Sequence, residues 1–297
     1  MNFLKAATTR EVVNKYLILN DFILYRKGSL VLSFLLLVIT CQAVIGQINL
    51  SGKPGLIYTP SAVETEDGLF RFGYNYNPIR YALRGRNRNP ERIIYANVTI
   101  LPRLEININF LQMINTSTRK VKEGLGDRQL DLRYLILKEK KNRPSLAVVL
   151  TTPFTIDGAM LTHALVATKN VTIRKDFNFE LSVGYGSPYY LWRDEANLKN
   201  SSILSNFTWQ KKSEDKFKNH YLLGPFGGAV FRYRKWGGVM VEYDSKHINV
   251  GAFATLFKHW TIQAALLNGD QVTVGTSYAL SLIKPSKRTK KKIDENK

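Results

Sequence analysis

Apolar and polar side chains alternate one for one along most of this chain. In LFRFGYNYN, from Leu69, the aromatics Phe70, Phe72, Tyr74 and Tyr76 share one parity; Arg71, Gly73 and Asn75 take the other. In LEININF, Leu104, Ile106, Ile108 and Phe110 oppose Glu105, Asn107 and Asn109. The pattern recurs in LDLRYLI, from Leu130, and in FELSVGY, from Phe179. A period of two over such lengths predicts strands with one apolar and one polar face. Further strands are expected at Ile93–Leu101, Ser145–Thr152, His163–Ile173, Ile203–Trp209, Gly228–Tyr233, Val239–Asp244, Ile248–Thr255, Thr261–Leu267 and Val272–Leu280. No segment after Gln47 carries a sustained apolar stripe at helical spacing.

The connections have a rhythm. Asn77–Glu91, Asn115–Asp127, Pro153–Thr162 and Ser187–Ser202 are long, and the intervening ones, at Pro102–Arg103, Lys140–Pro144 and Arg174–Asn178, are short. A membrane barrel has long loops at one end and tight turns at the other, whereas a soluble sandwich has no reason to alternate. The rhythm breaks at Gln210–Gly227, which is long where a short turn is due, and the later hairpins are all tight.

One strongly apolar run stands apart. Arg26 and Lys27 precede SLVLSFLLLVIT (Ser29–Thr40), and CQAVIG leads on to Gln47. This is the layout of an export signal, too short for a typical membrane helix of ~20 residues. Val44 and Gly46 suit the positions before a cleavage site, so the mature chain is expected to start at Gln47. A lipoprotein signal lipidated at Cys41 is the alternative, with Thr40 a poor fit to the small residue usual there. The expected organisation is a signal with its extension over 1–46, a periplasmic lead-in over 47–68, a barrel over 69–280 and a basic tail over 281–297.

The fold class expected is all-β: an antiparallel transmembrane barrel of roughly 12–14 strands. Its polar parity would point Arg71, Glu105, Asp131, Arg133, Glu180, Glu242 and Asp244 into the lumen, where mixed signs suggest ion-pair ladders. Leu132 and Leu181 would face lipid and Ser182 the lumen, so Arg is expected to be far worse at 181 than at 182. Tyr74, Tyr76, Tyr95, Tyr185, Tyr189, Tyr190, Trp192, Trp209, Trp236 and Trp260 are candidates for interfacial girdles.

Charge adds a partner class. The net charge is +20, with 43 Lys+Arg against 23 Asp+Glu, which draws anions of any kind. Arg80, Arg84, Arg86, Arg88 and Arg92 fall together in the first long connection and form a candidate polyanion-binding loop. The expected partners are outer-membrane lipid, an anionic polysaccharide or lipopolysaccharide, and the barrel-assembly machinery; no nucleic acid is expected.

The segments GLIYTPSA, from Gly55, EDGLFRFGYNY, from Glu66, and LGDRQLDLRYLILKEKKNRPSLAVVL, from Leu125, resemble the YjbH family of outer-membrane β-barrel proteins. The resemblance runs from about Gly52 to Leu280 and implies a link to exopolysaccharide production. Family members are typically longer, and many outer-membrane barrels end on an aromatic residue where this chain carries IKPSKRTKKKIDENK. The family implies no catalytic residues.

The residues themselves offer little chemistry. His163, His220, His247 and His259 have no ligand spacing, and the single cysteine permits neither an intramolecular disulfide nor a Cys-based metal site. Asp244-Ser245-Lys246-His247 reads as a hairpin tip rather than a catalytic set. Neither a cofactor nor a metal is expected. The function expected is non-enzymatic help in exporting or retaining an exopolysaccharide in the outer membrane of a Gram-negative-type bacterium. A porin-like or structural barrel, a lipid-modifying enzyme and a soluble periplasmic sandwich are the alternatives.

Overall fold

A computed structural model describes residues 47–83, 89–101, 103–115, 125–155, 159–193, 206–212 and 222–283. The segment expected as an export signal, Arg84, Arg86, Arg88, His220 and the basic tail from residue 284 lie outside these. Fourteen strands occur: β1 (Leu69–Asn77), β2 (Glu91–Leu101), β3 (Leu104–Met113), β4 (Asp127–Leu137), β5 (Ser145–Thr151), β6 (His163–Arg174), β7 (Phe177–Gly186), β8 (Tyr189–Arg193), β9 (Phe207–Lys211), β10 (Gly224–Tyr233), β11 (Gly237–Tyr243), β12 (Ile248–Leu256), β13 (Trp260–Leu267) and β14 (Gln271–Ser281). Twelve of them close an antiparallel barrel, β1 pairing with β14 and β7 with β10, while β8 and β9 form a separate hairpin.

That hairpin explains the broken rhythm. Sequence pattern counts Ile203–Trp209 among the barrel strands, but β8 and β9 both belong to one long connection, 187–223, between β7 and β10. With them set aside, one end of the barrel carries 102–103, 138–144, 175–176, 234–236 and 257–259. The other end carries 78–90, 114–126, 152–162, 187–223, 244–247 and 268–270. All the longest connections therefore share an end.

The burial is inside out relative to a soluble protein. Outward positions on β7 hold Leu181, Val183 and Tyr185, each about half exposed, and β11, β12 and β14 show Val239, Val241, Ile248, Val250, Val272 and Val274 likewise. Inward positions hold Arg71, Asn97, Glu105, Asn107, Asp131, Arg133, Glu180 and Glu242, all buried. A water-facing sheet would reverse this, because burying polar side chains costs free energy unless each finds a partner. Of the expected girdle residues, Tyr189, Tyr190, Trp192 and Trp209 belong to the β8–β9 hairpin and not to the barrel wall, and Tyr95 does not face outward. Tyr95 shares its parity with Ile93 and Asn97 and is buried, and Tyr190 is buried in the hairpin.

Candidate functional site

The barrel is filled by its own chain. Residues 47–62 are buried throughout, packed among the inward-facing side chains of the strands. The lead-in segment, expected as a periplasmic approach to the barrel, is instead a plug. It has no regular strand or helix and is folded by local polar contacts. The Asn49 Oδ1 accepts hydrogen bonds from the backbone N–H of Ser51 at 3.1 Å and of Lys53 at 3.0 Å. The Leu50 N–H donates to the Ile57 carbonyl at 2.7 Å and the Ser61 N–H to that of Pro54 at 2.8 Å. Gly52 turns the chain at φ +87, a left-handed value, and a Cβ there would sit 2.5 Å from the Tyr95 ring, so both conformation and space require glycine.

The wall meets the plug with two kinds of surface. One side is apolar: Leu50, Leu56 and Ile57 join a cluster with Phe226, Val230, Met240, Phe253 and Ala265. The gap left between Leu50, Ile57, Met240 and Ala265 is about 10 Å³, at the lower limit for one water molecule. The other side is polar. Asn75 and Asn107 donate to the carbonyls of Leu50 at 2.8 Å and Ser51 at 2.9 Å. Lys53 forms a buried ion pair with Asp131, whose carboxylate also accepts from Gln129, Thr151, Asn107 and Asn109. Arg133 pairs with Glu105 and donates to the carbonyls of Ser61 and Val63, holding the plug's exit. Arg71 stands 4.0 Å from the other oxygen of Glu105 and donates to Asn97 at 3.2 Å.

Glu242 has a different role from these pairs. Its carboxylate accepts the backbone N–H groups of Ile57 at 3.0 Å, Tyr58 at 2.8 Å and Thr59 at 3.1 Å, and the Thr59 hydroxyl at 2.8 Å. One wall carboxylate thus satisfies a whole turn of plug backbone that has no ladder of its own. Glu180 takes Arg232 at 2.9 Å on the wall itself. Of the seven charged side chains read from the sequence as lumen-facing, Arg71, Glu105, Asp131, Arg133, Glu180 and Glu242 are buried on the inward face of the strands, and Asp244 sits at the β11–β12 hairpin tip; Asp131, Arg133 and Glu242 touch plug residues directly. Sequence reasoning missed Lys53 and the plug's backbone, because their partners lie far away along the chain.

A filled lumen changes the expectation for Ser182. Its hydroxyl is fully buried and shares a 2.8 Å hydrogen bond with Thr168, which in turn accepts the Ala62 N–H at 2.7 Å. An Arg there would have to displace these packed groups, so Arg is expected to be costly at 182 as well as at 181.

At the long-loop end, described residues of three connections pack together. Tyr81 and Leu83 of the first connection are buried with Met160 and Leu222 from two others. The Tyr81 hydroxyl donates to Asp270 at 2.6 Å, and its ring meets His247 edge-on. Burial, helped by Asp270, pushes the Tyr81 hydroxyl up to about 12, and hydrogen bonds from Tyr81 and Arg80 hold Asp270 below the usual carboxylate range. Lys212, where β9 ends, is buried and donates to the Leu161 carbonyl at 2.6 Å; burial, then the charge of Lys53, brings its ammonium down to about 7. Asp244 accepts the N–H groups of Lys246 at 3.0 Å and His247 at 2.7 Å, the geometry of a hairpin tip.

The candidate polyanion loop is dispersed at its described members. Arg80 is exposed and pairs with Asp270 at 2.9 Å, and Arg92 lies on β2 with its Nε donating to Gln112 at 2.8 Å. Among the described residues no group of three His, Cys, Asp or Glu could hold a metal ion.

A closed twelve-stranded antiparallel barrel, apolar outside and sealed within by an N-terminal segment, defines the class: a plugged β-barrel. The chain belongs to the YjbH family, whose model, described as exopolysaccharide biosynthesis protein YbjH, matches residues 48–297. The match thus begins with the plug and takes in the whole barrel. None of the curated proteins matches the chain. A crystal structure of an outer membrane channel from Pseudomonas putida F1 is similar over 74% of this chain and 98% of that one, at 12% identity and a TM-score of 0.39.

Proposed function

We propose that this chain spans the bacterial outer membrane as a plugged barrel and assists the export or surface retention of an exopolysaccharide, without catalysing a reaction. The observation that carries the membrane part is the inversion of burial: valine, isoleucine and leucine outside, Arg71, Glu105, Asp131 and Glu242 inside. Strand lengths support it, with 9 residues in β1, 10 in β3 and 11 in β4, against the ~9–11 that a tilted strand needs to cross a bilayer. The polysaccharide part rests on the family description. With the first strand rising from the periplasm, the long connections face outward, and Arg80 with the neighbouring arginines would meet anionic polymer or lipopolysaccharide. The plug favours retention, or export gated by plug movement, over a permanently open porin.

The test has two steps. Removing the chain from its cell should lower acidic polymer at the surface, and restoring it should bring the polymer back; an unchanged polymer level contradicts the reading. Tethering the plug to the wall through Lys53→Cys and Asp131→Cys, with a short bis-methanethiosulfonate cross-linker that forms a reducible disulfide at each cysteine, then separates the two roles. Polymer lost on cross-linking and recovered on reduction means export past a moving plug. Polymer unaffected by the tether means retention.

A further inference from the structure

The short-turn end has a feature that the polymer role does not use. Every one of its five connections carries a cation: Arg103, then Lys138 with its neighbours, Lys175, Arg234 with Lys235, and Lys258. Two of these connections are joined to each other, and one of them is tied to the neighbouring strand. Arg234 donates to Asp176 across the gap between the β10–β11 and β6–β7 turns, at 2.9 Å and 3.3 Å. The Thr255 N–H of β12 donates to the Trp236 carbonyl at 2.6 Å. Arg234 is thereby neutralised, but Lys175, Lys235 and Lys258 are exposed and have no ion-pair partner among the described residues.

Beside these cations the barrel's outer face is recessed. A shallow, open groove of about 360 Å³ runs across β10, β11 and β12, bordered by Phe231, Tyr233, Trp236 and Val239. Its floor is small side chains, Gly237 and Ala254. A Cβ on Gly237 would meet the Phe253 carbonyl at 2.3 Å, so the floor cannot simply be filled there. Trp236, 65% exposed, stands at the end of the groove next to Lys235. An apolar slot ending in an aromatic and unpaired cations matches one amphiphile: a hydrocarbon chain with an anionic head.

We propose that this groove and its cationic rim bind an anionic glycerophospholipid, its acyl chain lying along Phe231, Tyr233, Gly237 and Ala254. Its phosphate would be held by Lys235, with Lys175 and Lys258 to either side. The proposal rests on the membrane-spanning reading above. A phosphate at this end sits at the membrane surface, where each Lys or Arg adds about 1 kcal/mol of attraction to an anionic leaflet, about five-fold in affinity. Aromatic side chains commonly mark the same level.

The experiment reads Trp236 directly. The full chain, with Trp192, Trp209 and Trp260 replaced by Phe, is inserted into vesicles of phosphatidylcholine containing brominated phosphatidylglycerol or, in a parallel series, brominated phosphatidylcholine. Bromine quenches only a tryptophan it touches. The expected result is at least five-fold tighter quenching by phosphatidylglycerol at matched ionic strength, and loss of that preference in Lys175→Gln/Lys235→Gln/Lys258→Gln. Ala254→Leu should weaken quenching by both lipids while leaving gel migration of the folded barrel unchanged. Equal quenching by the two lipids, or a preference that survives the triple substitution, overturns the site. A preference abolished by soluble alginate at that ionic strength also overturns it, since the rim would then serve an acidic polymer. If the tryptophan variants fail to fold, phosphatidylglycerol carried by the wild-type chain is counted instead by mass spectrometry in detergent. Retained phosphatidylglycerol that is lost in the triple lysine variant supports the site, and none retained overturns it. A chain that does not float with vesicles at all overturns the membrane-spanning reading itself, and this site with it.

Discussion

The side chains that matter most singly are those that serve backbone rather than other side chains. Glu242 accepts three N–H groups of the plug, from Ile57, Tyr58 and Thr59. Glu242→Ala leaves these donors buried without an acceptor, and each such loss costs about 1–3 kcal/mol before relaxation. The expected outcome is a plug cut readily by protease between residues 50 and 60 while the barrel strands stay protected. Glu242→Gln, which keeps one acceptor oxygen, should fall between. On the outer face the rule reverses. Leu181 is about half exposed and lies near the middle of β7, so Leu181→Arg should cost ~2–4 kcal/mol in a bilayer, and Leu181→Phe should be nearly neutral. Urea unfolding in vesicles measures both; equal effects of Arg and Phe would place 181 away from lipid.

At the scale of elements, parity was legible and topology only partly so. Phe72 and Tyr74 against Arg71 and Asn75, or Ile106 and Ile108 against Glu105 and Asn107, show their faces without help, because a strand's period of two is local. The β8–β9 hairpin was not legible as a hairpin. Tyr189–Arg193 and Phe207–Lys211 are five residues each, and nothing within five residues says which sheet they join. The plug left still less trace. NLSGKPGLIYTPSA has no period, and its order comes from partners such as Asp131 and Glu242, 78 and about 185 residues away. Its one local signal was the GLIYTPSA likeness, which named a family and not a place. Tyr95 follows Ile93 and Ile94, apolar residues on both parities, so alternation does not assign it a face, and the room that Gly52 and Gly73 leave for its ring inside comes from distant positions.

The hairpin carries its own prediction. Lys212, buried at the end of β9, is brought down to about 7 from an ordinary 10.5 by burial and then by Lys53. Between those values the undocked hairpin binds a proton that the docked one does not, so docking strengthens as pH rises from about 7 and is weakest below it. Hydrogen exchange at residues 207–211 should therefore slow, after correction for intrinsic rates, between pH 6 and pH 9. Lys212→Met should remove that dependence; a dependence that remains assigns it to another group.

The whole molecule is organised by one inversion. A barrel closed on itself has no edge strands to protect, so its outer face is free to be apolar, and its inner face can satisfy an irregular segment that no isolated strand could hold. Filling the lumen with residues 47–62 replaces a water channel by ion pairs and packed apolar groups, which links the plug's position to the barrel's stability. Unfolding in detergent should then be sensitive to the plug: deleting residues 47–62 should lower the melting temperature while the deleted chain still inserts. A deletion with no thermal effect would mean that the plug is not held as Lys53, Asp131 and Glu242 imply.

The most direct measurement asks where the chain goes and whether it closes there. Cell envelopes expressing it are separated on a density gradient, and each fraction is run on a gel with and without boiling. A plugged outer-membrane barrel co-fractionates with outer membrane, resists extraction by urea, and migrates faster unboiled than boiled, as a compact closed barrel does. A chain found in the soluble periplasmic fraction, with the same migration before and after boiling, would contradict it.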